Sequence, residues 1–132
     1  MKLLVKTGIE LECLKTQADG SEFDASLLPS ALIGHGVRAK WAGGWRRSIG
    51  NDYWDVKTDS SCGYEVASPP FSNADAFTKQ LKSVCEKMVS SGANVDNRCG
   101  VHVHLGLANA VGEDRTASVV YKLAKFCARN QD

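Results

Sequence analysis

Gly8-Ile9-Glu10-Leu11-Glu12-Cys13 decides the fold. Apolar and acidic residues alternate strictly from Ile9 to Cys13, and a β-strand, with its side-chain period of two, sorts such a run onto two faces. Glu10 and Glu12 share one face; Ile9, Leu11 and Cys13 share the other. The strand is predicted over residues 3–14, with a turn-prone Thr7-Gly8 inside it. Residues 99–107 repeat the pattern with imidazoles, setting His102 and His104 against Val101, Val103 and Leu105. Between these two runs, residues 53–58 and 64–68 read as strands joined through Asp59-Ser60-Ser61 and Gly63, hence a hairpin. Glu65 supplies a third carboxylate there. Pro69-Pro70 follows, and proline cannot donate to a sheet ladder.

Helical periodicity accounts for the apolar face. Phe77, Leu81, Val84 and Met88 recur at i, i+4, i+7 and i+11, one continuous stripe, after a cap at Ser72 or Asn73 and before a stop at Gly92. A last helix is predicted over about residues 114–129, with Ala117, Val120, Leu123, Ala124 and Cys127 inward and basic residues towards its C-terminus. A short helix fits residues 24–33, begun by Asp24 or Ser26, with Pro29 in its first turn and Gly34 and Gly36 ending it. Residues 36–51, with Gly43-Gly44 and two tryptophans, read as an irregular loop or loose hairpin. The expected architecture is α/β (α+β), a mainly antiparallel sheet with helices on one face and an open polar face on the other.

The chain has 132 residues, the size of one domain spanning 1–132, and is 43% hydrophobic and 23% charged, the balance of a globular protein. Sixteen basic and 15 acidic residues give a net charge of +1, which supplies no field for nucleic acid or an anionic membrane. No apolar run approaches the roughly 20 residues of a membrane-spanning helix, and the apolar start at Leu3 is too short for a signal peptide. A cytoplasmic location is expected. The five cysteines, Cys13, Cys62, Cys85, Cys99 and Cys127, are odd in number and widely spaced, which argues against a disulfide framework.

Two carboxylates at i, i+2 suit a hard cation such as Mg²⁺, which takes oxygen ligands. Two imidazoles at i, i+2 could bind a metal, a phosphate or a substrate, or move a proton. Each pattern alone is more often a solvated sheet face. Their order along the chain is more specific. Gly8-Ile9-Glu10-Leu11-Glu12 resembles the opening Gly-x-Glu-x-Glu strand of the amidoligase family. Trp54-Asp55-Val56-Lys57-Thr58-Asp59-Ser60-Ser61 is similar to that family's Trp-x-Val-x-x-Asp-x-Ser segment. Tyr64-Glu65-Val66-Ala67-Ser68-Pro69-Pro70 resembles its Glu-containing strand end in Ser-Pro. Cys99-Gly100-Val101-His102-Val103-His104 matches its Cys-Gly-x-His-Val-His signature.

The resemblance spans residues 7–128 and corresponds to the N-terminal half of a longer enzyme. It implies a curved antiparallel sheet of glutamine-synthetase-like type and a site that binds ATP and Mg²⁺. A carboxylate is there activated as an acyl phosphate and attacked by an amine to form an amide. It implies catalytic roles for Glu10, Glu12, Glu65, His102 and His104, with metal ligation by Glu10, Glu12 and Glu65. Carboxylate and amine substrates are implied, peptides among them, and a second copy or a partner chain that completes the site. A truncated and inactive enzyme is the other outcome implied.

A different class of function stays open. Arg38-Ala39-Lys40-Trp41-Ala42-Gly43-Gly44-Trp45-Arg46-Arg47 mixes cations with aromatics, as a loop gripping a protein or single-stranded nucleic acid does. A non-catalytic inhibitor or interaction module would use Trp41, Trp45, Arg46 and Arg47; in an enzyme these residues, with Trp54 and Asp59, would border the substrate. A zinc site at Cys99, His102 and His104 is disfavoured, because three residues along a strand put Cys99 on the opposite face from His102.

Overall fold

The computed structural model describes residues 1–43 and 52–129. Its organising element is β1 (Lys2–Leu14), a strand of 13 residues hydrogen-bonded along both edges. On one edge, Glu10–Leu14 pair with β4 (Gly63–Ala67) and Lys2 and Thr7 pair with β5 (Phe71–Asn73), all antiparallel. On the other edge, Lys6–Leu11 pair antiparallel with β6 (Val101–Gly106). The sheet continues outward from β4 through the antiparallel β3 (Trp54–Thr58) to a short parallel β2 (Ala39–Trp41). Thr7-Gly8 makes no turn; β1 runs through it.

Two details depart from the sequence reading. The segment read as an irregular loop or loose hairpin contributes β2, which pairs parallel with β3 in the register Ala39 to Trp54 and Trp41 to Val56. β4 does end before the prolines, at Ala67, but the same edge of β1 stays in use beyond them. Ser68 bridges the interruption: its N–H donates to Ile9 O at 2.8 Å, and its Oγ accepts from Ile9 N–H at 2.9 Å. A side-chain oxygen thus substitutes for the ladder acceptor, and pairing resumes as β5 on the same edge.

The apolar face of the sheet carries α1 (Leu28–Ile33), entered through a 3₁₀ turn at Ala25–Leu27, and α2 (Ala74–Ser90). Asp24 caps the turn by accepting from Ser26 N–H, and Asn73 caps α2 by accepting from Ala76 N–H at 3.0 Å; each satisfies an amide the helix leaves unpaired. Gly92 closes α2 with φ +90°, a conformation that costs glycine little. Val84 and Met88 are buried, and Phe77 and Leu81 pack partly buried against the same cluster. Its centre is Trp54, fully buried, whose indole N–H donates to Gln80 Oε1 of α2 at 2.9 Å.

The last helix behaves differently from expectation. After α3 (Ala108–Val111), α4 (Glu113–Arg129) packs against α3, and Ala117, Val120, Leu123, Ala124 and Cys127 are exposed rather than inward. Val101, Val103 and Leu105 of β6 are exposed too, because α1 and α2 cover the sheet only as far as β1. Cysteine usage also differs. Cys62 and Cys99 form a disulfide that ties the β3–β4 turn to the segment leading into β6, with Cα atoms 5.5 Å apart. The odd count and wide spacing concealed this pair, which only the folded register brings together. Cys13 is buried, and burial pushes its thiol up to about 11.

A bridge across 37 residues restricts the unfolded chain by about 3–4 kcal/mol on loop-closure grounds. Chemical denaturation of the wild type in reductant, and of Cys62→Ser in either condition, is expected to show that loss. Equal stability with and without reductant would contradict it.

Candidate functional site

The polar face is built from rows of side chains that cross the strands. Residues directly opposite one another in a ladder share a face. One row runs from Lys40 on β2 through Asp55 on β3, Ala67 on β4 and Glu10 on β1 to His102 on β6. A second runs from Lys57 through Glu65 to Glu12. Gly8 stands opposite His104. The strict alternation in β1 and β6 thus brings the two glutamates and two histidines onto one surface, with Glu65 beside them.

Glu10, Glu12 and Glu65 are each only 8% exposed. A carboxylate so buried needs charge or donors around it. For Glu10 these are imidazoles: His104 Nε2 lies 3.0 Å and His102 Nδ1 3.4 Å from its Oε2. Glu12 has the backbone, with Gly100 N–H donating to its Oε2 at 2.8 Å, and His102 Nε2 at 3.7 Å from its Oε1. His102 therefore stands between the two carboxylates. A Cβ at Gly100 would lie 3.2 Å from His102 Nε2 and 3.5 Å from Glu12 Oε2, so a side chain there would press on the imidazole. Glu65 is neutralised by Lys57, whose Nζ is 2.9 Å from Oε1. Lys40 Nζ lies 3.6 Å from Asp55 Oδ1.

Asp55, Lys57, Lys40 and Gly100 belong to this surface, and sequence reasoning did not single them out. A signal existed: Trp54-Asp55-Val56-Lys57 alternates apolar and charged residues as β1 does. Trp54 itself, read as bordering the substrate, is a core residue, because the same alternation turns it towards α2. Trp41 is aligned with Val56 on the apolar side and packs edge-on against Tyr64, with ring centroids 6.1 Å apart. Trp45, Arg46 and Arg47 lie outside the described residues. Cys99 is sequestered in the disulfide, so the zinc reading with His102 and His104 fails. Among the described residues no three His, Cys, Asp or Glu side chains are grouped to hold a metal ion by themselves.

A family model described as "Putative amidoligase enzyme" matches residues 5–132. The chain belongs to the amidoligase family. The match takes in β2 to β6 and β1 from Val5 onward. Comparisons with curated proteins and with solved structures gave no match. No helix among the described residues is long and apolar enough to cross a membrane.

Asp59 lies away from the carboxylates, at the β3–β4 turn. Its Oδ1 accepts from the Ser61 hydroxyl, from Ser61 N–H at 2.8 Å and from Cys62 N–H at 3.0 Å. An open cleft of about 330 Å³ runs along this turn between Lys15, Thr16 and Arg98. Of the sequence-chosen residues, only Asp59 lines it. The Ser61 hydroxyl, followed by the turn amides, holds the Asp59 carboxyl below its ordinary value. A carboxyl depressed on folding contributes stability above its unfolded pKa, near 3.9, and loses it as pH falls through the folded value. Asp59→Asn should therefore flatten the part of the stability–pH curve below about pH 4, read by denaturant midpoints at successive pH values. An unchanged acid slope would show that the turn does not depend on the charge.

Proposed function

We propose that the chain acts as an ATP-dependent carboxylate–amine ligase. A carboxylate oxygen would attack the terminal phosphorus of ATP and release ADP. The amine nitrogen would then attack the acyl carbon, phosphate would leave, and the nitrogen would lose a proton. The observation that supports this reading is the pair of buried carboxylates, Glu10 and Glu12, held side by side with His102 between them on the polar face.

The donor set fits Mg²⁺. That ion is commonly held by one or two carboxylates, with waters and substrate phosphates filling the other positions, so a two-carboxylate site does not need a third protein ligand. Glu10 and Glu12 would hold it. The bound ion would neutralise charge as two anionic reactants approach. His104, 3.0 Å from Glu10, would accept the proton that the amine gives up, with Glu10 stabilising the imidazolium. Gly100 N–H fixes the Glu12 carboxylate independently of either imidazole.

Binding tests this without knowledge of the substrates. Calorimetry with ATP and Mg²⁺ should show binding by the wild type. Loss of supporting groups around a metal commonly costs 10–100-fold, so Glu10→Gln/Glu12→Gln should weaken it by more than about 100-fold. Replacing His104 by Gln should leave nucleotide binding largely intact. Full nucleotide affinity in the double variant would exclude the two glutamates from the site.

A further inference from the structure

Among the described residues, Lys57 is the most deeply placed cation on the polar face. Its position follows from the chain: Trp54 and Val56 turn into the core, so Asp55 and Lys57 turn the other way. Lys57 stands opposite Glu65, and Glu65 stands opposite Glu12. The side chains of Lys57 and Glu65 are each 11% exposed, and the charged atoms are 2.9 Å apart. The contact acts through charge rather than as a directed hydrogen bond, since buried Glu65 Oε1 has no donor of good geometry. Lysine is almost never so buried unless paired, and a buried pair that loses one member leaves a costly uncompensated charge. The neighbouring pair, Lys40 and Asp55, is longer, at 3.6 Å, and its lysine is more exposed.

We infer that Lys57 is a built-in cation that removes Glu65 from the divalent-ion site and confines that ion to Glu10 and Glu12. This rests on the cation-binding reading of the face, but it concerns a different carboxylate. A second divalent ion at Glu65 would have to sit against a fixed ammonium ion in a poorly hydrated place, where like charges repel strongly. The ammonium group instead stands two strands from Glu12, with Glu65 between them in the same row. Lys57 is thus a positioning residue for Glu65 and sets how many ions the face accepts.

Lys57→Met keeps the stem and deletes the charge. With Mn²⁺ as the probe, on the full chain, ion stoichiometry is read by electron paramagnetic resonance and the thermal midpoint by circular dichroism. The single variant should melt lower than the wild type without metal, recover with Mn²⁺, and bind one more Mn²⁺ per chain. Lys57→Met/Glu65→Gln should show neither the drop nor the extra ion, and Lys57→Arg should behave as the wild type. No extra ion in a folded Lys57→Met would overturn the inference. Should that variant fail to fold, Glu65→Gln in the wild-type background decides. Unchanged Mn²⁺ affinity supports the inference, and a loss of about tenfold or more overturns it by making Glu65 a ligand. A wild type that binds no Mn²⁺, beside a Lys57→Met that gains one ion, upholds the role of Lys57 and sinks the assignment of Glu10 and Glu12.

Discussion

The molecule depends on β1 being paired along both edges while its two faces differ completely in polarity. Each residue from Glu10 to Leu11 has a ladder partner on either side, β4 on one and β6 on the other. This double pairing satisfies the backbone through the middle of the sheet and leaves the side chains to set the environment. A shift of β1 by one residue against its neighbours would turn Glu10 and Glu12 into the cluster around Trp54 and Ile9 and Cys13 out to the polar surface. Because one face is apolar and packed, that slip is prohibitively costly. The core therefore enforces the site: the same alternation that buries Cys13 and Ile9 aims the glutamates.

Burying three carboxylates on one surface then needs compensation, and the sheet supplies it in three forms. Glu10 is met by imidazoles, Glu12 by a backbone amide and an imidazole, and Glu65 by an ammonium group. These are not equivalent. An amide dipole is fixed and uncharged, an ammonium ion is a permanent charge at neutral pH, and an imidazole changes its charge near neutrality. The face thereby carries an ammonium group on the β3 side and imidazoles on the β6 side. An amide-forming reaction has use for both, since charge must be neutralised throughout while a proton moves only once.

Much of this was legible in the sequence, for a physical reason. Side-chain period is local, so Glu10 with Glu12, and His102 with His104, could be paired on faces without knowledge of the fold. The stripe Phe77, Leu81, Val84 and Met88 was equally plain, and Asn73 and Gly92 bound its helix as capping chemistry requires. Their meeting on one surface followed from helices that cover only the apolar side, and the ordered resemblance to a family supported it, whereas the register between distant strands is not a local property. The disulfide was illegible for the same reason: Cys62 and Cys99 approach only when β4 and β6 flank β1. Lys57 was missed although its alternation was readable. A lysine in a strand is usually solvated, and only its ladder partner reveals that this one is paired and buried. The inward face assigned to α4 failed because an amphipathic stripe specifies that a helix can pack, not what it packs against.

The weakest part of the site follows from the same geometry. β6 has one ladder neighbour among the described residues, and Val101, Val103 and Leu105 gain little from burial. Apolar contact, the main source of stability elsewhere in the sheet, is therefore nearly absent under His102 and His104. Beyond its ladder to β1 and the histidine contacts to Glu10, β6 is held at its start. Glu12 N–H donates to Gly100 O at 3.1 Å while Glu12 Oε2 accepts from Gly100 N–H, and the adjacent Cys99 is covalently tied to the β3–β4 turn. Elements with few buried contacts open locally at lower free energy than the core they join. Here the opening is resisted by a reciprocal hydrogen bond that uses a site carboxylate as one of its partners. Glu12 is thus both a member of the polar site and the clamp on the strand that carries the histidines, so anything that draws on the Glu12 carboxylate also acts on the position of His102.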